Sequence, residues 1–143
     1  MKIMTCFIDA SAWIAIVDPQ DANHQKARDF FEYLLERDAK LITNNYVIDF
    51  VLEHLKERFD TDMAAAFMKI IEESIITINL RMDWISKRIR RAAIGNFLRS
   101  NKKDLKLYHF YLKESIKRKK ADMIFTFDKN VRDFGIPIMP QAN

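Results

Sequence analysis

The chain is 143 residues long, 49% hydrophobic and 31% charged, with 24 Lys and Arg against 20 Asp and Glu. That length is expected to form one domain over residues 1–143, burying roughly 70% of its unfolded surface without staples, and the lone Cys6 in an apolar run is expected as a buried thiol. Only two glycines, Gly95 and Gly135, exclude a glycine-rich phosphate loop, and no apolar run approaches the roughly 18 residues of a membrane span.

The N-terminal stretch MKIMTCFIDASAWIAIVDP is broken by Asp9 and carries no cleavage signature, so a cytoplasmic protein with no membrane partner is expected. MTCFID reads as a strand, and DANHQKARDFFEYLLERD as a helix with apolar residues at Ala27, Phe30, Phe31, Leu34 and Leu35. AKLITN is a short strand. NYVIDFVLEHLKERF follows as a helix with a stripe of Val47, Ile48, Val51, Leu52 and Leu55, and DTDMAAAFMKIIEE as another, opened by a capping Asp or Thr. SIITINL alternates and is β-branched, which predicts a strand. MDWISKRIRRAAIGNFLRSN and LYHFYLKESIKRKK read as helices, DMIFTFD as a strand and IPIM as a short terminal strand. Strands separated by helices predict an α/β fold whose parallel sheet is covered on both faces.

Sites in such sheets form beyond the carboxyl ends of strands. Asp9 follows TCFI and Asp128 follows MIFTF, so adjacent strands would bring both carboxylates into one crevice. A carboxylate there must be hydrogen-bonded, paired or exposed. A shared metal ion is one solution, and capping of the following turn is the other. Charge is also unevenly placed: residues 81–120 hold 14 of the 24 basic residues and only three acids, Asp83, Asp104 and Glu114. Such a segment attracts nucleic acid or an acidic protein, or is simply a solvated helix face.

The blocks FIDASAWIAIVDPQDANHQKA, LITNNYVIDFVLEHL and ADMIFTFDKNVRDFGIPIMP, in this order, resemble the PIN domain, the small nuclease fold that includes the VapC toxins of prokaryotic toxin–antitoxin pairs. The resemblance implies a three-layer α/β/α sandwich with a central parallel sheet, and three or four acids holding magnesium or manganese to cut RNA. Hard carboxylate oxygens suit a hard ion that activates water and offsets phosphate charge. Asp9 and Asp128 match the first and last acids, Ser11 the hydroxyl residue supporting the first, and Asn45 falls in the family's TNY block. An antitoxin-type protein partner and a homodimer are further implications.

The middle of the pattern is altered. Phe50 stands where relatives carry a glutamate, and His109 where counting back from Thr126 places the third aspartate. Asp49 lies about 100° around the helix from Phe50, and Asp104 is the nearest acid upstream of His109, so Asp49, Asp104 or His109 would have to complete the site. His54 sits one turn beyond Phe50, so Phe50, His54 and His109 are expected to share the cleft. With two expected ligands replaced, magnesium or manganese would be weakly held or absent and activity impaired. The alternative function is a catalytically inactive PIN fold that binds RNA or a protein. In either case RNA contact is expected from Lys87, Arg88, Arg90, Arg91, Lys117, Arg118, Lys119 and Lys120. An unrelated aspartate-based phosphotransfer enzyme is disfavoured, because Ala10 and Ser11 follow Asp9 where a second carboxylate is wanted.

Overall fold

The computed structural model describes residues 3–141. The first strand, β1 (Thr5–Ile8), is followed after Asp9 by helix α1 (Ala10–Val17), α2 (His24–Glu36) and strand β2 (Lys40–Asn44). Next come α3 (Asn45–Arg58), α4 (Thr61–Thr77) and β3 (Leu80–Asp83). Helices α5 (Lys87–Arg99) and α6 (Leu107–Lys119) then lead to β4 (Met123–Phe125), a single 3₁₀ turn (Lys129–Val131) and β5 (Ile138–Met139).

All strands are parallel in the order β3-β2-β1-β4-β5. Right-handed crossovers therefore send α1–α4 to one face as the chain steps from β1 to β3, and α5 and α6 to the other as it returns to β4. This is the expected three-layer sandwich. The direction of winding reverses between β1 and β4, and a crevice opens beyond the carboxyl ends of strands at such a reversal.

The central strands are apolar on both sides because both faces are covered: Cys6, Phe7, Ile8, Leu41, Ile42, Ile124 and Phe125 are all buried. Trp13 of α1 fills the space between helices, edge-on to Phe31 and Phe67, and its indole N–H donates to the Thr43 hydroxyl at 3.2 Å. From α6, Leu112 and Ile116 seal the opposite face. A second, smaller cluster of Ile85, Ala93, Leu105, Phe110 and Tyr111 holds α5 against α6.

Three local expectations are corrected. Residues 74–77 complete α4 rather than opening a strand, and β3 begins only at Leu80. The buried residues of α4, Ala64, Phe67 and Ile71, carry a helical spacing that propagates into the β-branched run, and packing outweighs a weak strand propensity. Met82 and Asp83 belong to β3, so the basic helix starts later, at Lys87 after its Ser86 cap. Residues 10–17, to which the sequence pattern assigns no element, form α1, because Asp9 caps them through the Ala10 N–H. No helix of the described residues is long and apolar enough to cross a membrane.

Candidate functional site

Asp9 and Asp128 do meet in the crevice beyond β1 and β4, as walls of one cavity of about 600 Å³. The carboxylate of Asp9 is only 2% exposed, and the chain itself fills it. One oxygen, Oδ1, accepts the Ala10 N–H at 2.6 Å and the Tyr108 hydroxyl in a short hydrogen bond. Oδ2 accepts the Thr126 hydroxyl at 2.6 Å, with the Ser11 hydroxyl at 3.5 Å. Burial pushes Asp9 above its ordinary 3.8, offset in part by the Thr126, Tyr108 and Ala10 hydrogen bonds, and the Asp128 charge pushes the same way as burial. Burial, and then the Asp9 charge, likewise raise the Tyr108 phenol, which stays a donor.

Asp128 is held in the same manner. Its Oδ1 accepts the Asn130 N–H at 2.9 Å, capping the 3₁₀ turn, and its Oδ2 lies 2.8 Å from Nε2 of His109. The other imidazole nitrogen, Nδ1, accepts the Lys106 N–H at 2.8 Å. A backbone N–H can only donate, so Nδ1 is bare and the proton sits on Nε2, donated to Asp128. Both nitrogens of His109 are thereby engaged with the chain.

Ser11 does reach Asp9, but its closer partners are the Thr126 hydroxyl at 3.0 Å and the Phe127 N–H at 2.9 Å, so it ties α1 to the end of β4. Asn45 is elsewhere. Its Oδ1 accepts the Ile85 N–H at 2.7 Å, and it lines a separate cavity beside β3. The neighbouring Asn44 caps α3 through the Val47 N–H and donates to Ser115. Asp49 is exposed on the same far side of α3, and Asp104 is exposed on the loop before α6, so neither carboxylate lines the cleft. Phe50, His54 and His109 all line it, as expected. Phe50 is 49% exposed and lies tilted against Tyr108, ring centres 5.4 Å apart.

Tyr108, Thr126, Lys106 and Arg58 also belong to this cleft and were missing from the expected site. A signal for Tyr108 existed: Tyr108, Leu112, Ser115 and Ile116 follow a helical stripe facing the sheet, and the first of them overhangs the strand ends. Arg58 carried none, since it arrives at the far end of α3 to meet buried Asp18, Nε to Oδ2 at 3.3 Å.

A divalent ion of the magnesium type needs about six oxygens in near-octahedral array. In this crevice the Ala10, Tyr108 and Thr126 donors occupy both oxygens of Asp9, Asp128 keeps His109, and the described residues include no group of three or more His, Cys, Asp or Glu placed to hold a metal. As bonded, this donor set does not fit the ion that the resemblance implies.

Among solved structures the chain is similar to VapC20 of Mycobacterium tuberculosis, described as a sarcin–ricin loop cleaving toxin, with 19% identity over 90% of this chain and 92% of that one and a TM-score of 0.76. The chain has a VapC-like PIN fold. No protein-family model matches its sequence, and no curated protein matches it. The PIN fold therefore persists here where sequence likeness is faint, and its carboxyl-end crevice is the one that Tyr108 and His109 occupy.

The basic residues divide into two groups. Lys87, Arg88, Arg90 and Arg91 are all exposed on α5, and Arg90 also hydrogen-bonds Tyr111. Lys117, Lys119 and Lys120 are exposed at the far end of α6, near the amino ends of β1 and β4, where the Asp122 N–H donates to the Thr5 carbonyl. Arg118 keeps 30% side-chain exposure while its guanidinium donates to buried Asp83 in two hydrogen bonds of 3.0 and 2.6 Å.

Proposed function

We propose that this protein binds single-stranded RNA on a PIN fold without cutting it through a divalent ion. The observation that carries the reading is that Tyr108 and His109 occupy the carboxylates of Asp9 and Asp128, the two acids a magnesium or manganese ion would need. RNA as the ligand is supported by the fold's likeness to a toxin described as cleaving the sarcin–ricin loop, and by the acid-poor basic segment of residues 81–120. The competing reading is a magnesium- or manganese-dependent endoribonuclease with Asp9 and Asp128 as ligands. It would require both hydrogen bonds to open.

One experiment separates them. Manganese and magnesium are titrated calorimetrically into the wild type and into the triple variant Phe50→Glu/Tyr108→Phe/His109→Asp, beside binding and cleavage assays on a mixed single-stranded RNA. The expected wild type takes up no metal, leaves RNA intact and holds it less tightly as salt rises, with a slope near −0.7 per phosphate contacted. The triple variant, which removes the Tyr108 and His109 hydrogen bonds and adds two acids, gains manganese binding. Metal uptake with metal-dependent cleavage by the wild type would overturn the proposal.

A further inference from the structure

Helix α3 separates two cavities of opposite electrical character. Phe50 faces the crevice, and its neighbour Asp49 faces a cavity of about 870 Å³ beside β3. The crevice is lined by four carboxylates, Asp9, Asp18, Asp21 and Asp128, against Arg58 and Lys106. A phosphodiester chain laid there without a metal would meet net negative charge.

The β3 cavity is different. Lys40, Arg81 and Lys119 line it, facing Asp49 and Glu72, while its third acid, Asp83, is neutralised by Arg118. At its edge stands Trp84, 69% exposed and three residues before α5 begins. From there the solvent face of α5 continues with Lys87, Arg88 and Arg91, and Arg99 extends it in the last turn, in a helix that contains no acid. A large aromatic ring left in water between cations is what single-stranded nucleic acid uses: bases stack on the ring and phosphates follow the charges.

Resting on the RNA-binding reading above, we propose that the RNA docks on this β3–α5 face rather than in the crevice, with one unpaired base stacked on Trp84 and the adjoining phosphates held by Arg81, Lys87, Arg88 and Arg91. An acidic protein segment could satisfy the cations, but it would leave the indole unused. The ring is what favours RNA. The crevice then serves as a closed, internally bonded floor that takes no part in holding the strand.

The test uses the chain's two tryptophans. Trp13 is buried and Trp84 exposed, so base stacking should quench Trp84 emission when oligouridine or oligoadenylate is added. We expect quenching in wild type and none in Trp84→Ala, with affinity weakened about tenfold or more in that variant and largely kept in Trp84→Phe. Arg88→Glu/Arg91→Glu should weaken binding and flatten its salt dependence. RNA binding that survives Trp84→Ala and Arg88→Glu/Arg91→Glu, yet fails in Lys106→Glu, would overturn this placement and leave the RNA-binding reading intact. Wild type that binds no RNA at all sinks the reading itself. Polyglutamate that displaces RNA at equal charge, with no quenching by either RNA, would overturn the inference in favour of an acidic protein partner.

Discussion

The Tyr108 hydroxyl donates to Oδ1 of Asp9, joining the first turn of α6 to the end of β1 across 99 residues of sequence. The bond does two things. It satisfies a carboxylate that is almost wholly buried, and it occupies the oxygen that would otherwise face the cleft.

Removing that hydroxyl should therefore destabilise the fold. Tyr108→Phe keeps the ring against Phe50 but leaves Asp9 one donor short, and a loss of about 1–2 kcal/mol is expected in urea denaturation. A loss below about 0.5 kcal/mol would mean that Ala10 and Thr126 suffice to hold the buried carboxylate, and that Tyr108 is only a neighbour.

Asp83 and Arg118 form the most enclosed ion pair bordering the second cavity, with Asp83 at 4% side-chain exposure and Arg118 at 30%. Arg118→Met should cost about 2–4 kcal/mol, because it strands a buried carboxylate, whereas Asp83→Asn/Arg118→Met should recover most of the loss. A double variant as unstable as Arg118→Met alone would show that the guanidinium contributes through packing and not through charge.

Cations in the first turns of α5 oppose the helix dipole, and the first turn holds no acid to offset them. Lys87→Glu and Arg88→Glu should each stabilise the protein by about 0.3–1 kcal/mol while weakening RNA binding. Thermal denaturation and anisotropy on the same samples decide it. Stability and binding falling together would mark these residues as structural.

Burial raises the Cys6 thiol far above its ordinary 9.0. A raised thiol contributes stability below its unfolded value and loses it as pH climbs toward the folded one, so stability should fall from about pH 8.5 upward in wild type relative to Cys6→Ala. Native protein at pH 8 should resist thiol reagents, and denatured protein should react at once. Rapid native labelling would contradict the closed core around β1.

The sequence by itself determined four of the five strands, the sheet's parallel sense and the meeting of Asp9 with Asp128, because each rests on local pattern: apolar strands between amphipathic helices, with acids at strand ends. It also marked Phe50 and His109 as residues of the cleft. Element boundaries failed where packing overrode propensity, at residues 74–83, and where a cap such as Asp9 started a helix inside an apolar run. What only the tertiary structure decided is which neighbours the polar side chains of α6 met. His109 found Asp128, Tyr108 found Asp9, and Arg118 found Asp83, across 19 to 99 residues. Side-chain partners at such separations depend on how helices cross the sheet. Asp49 and Phe50, adjacent in the chain and about 100° apart on α3, were accordingly sent to two different cavities.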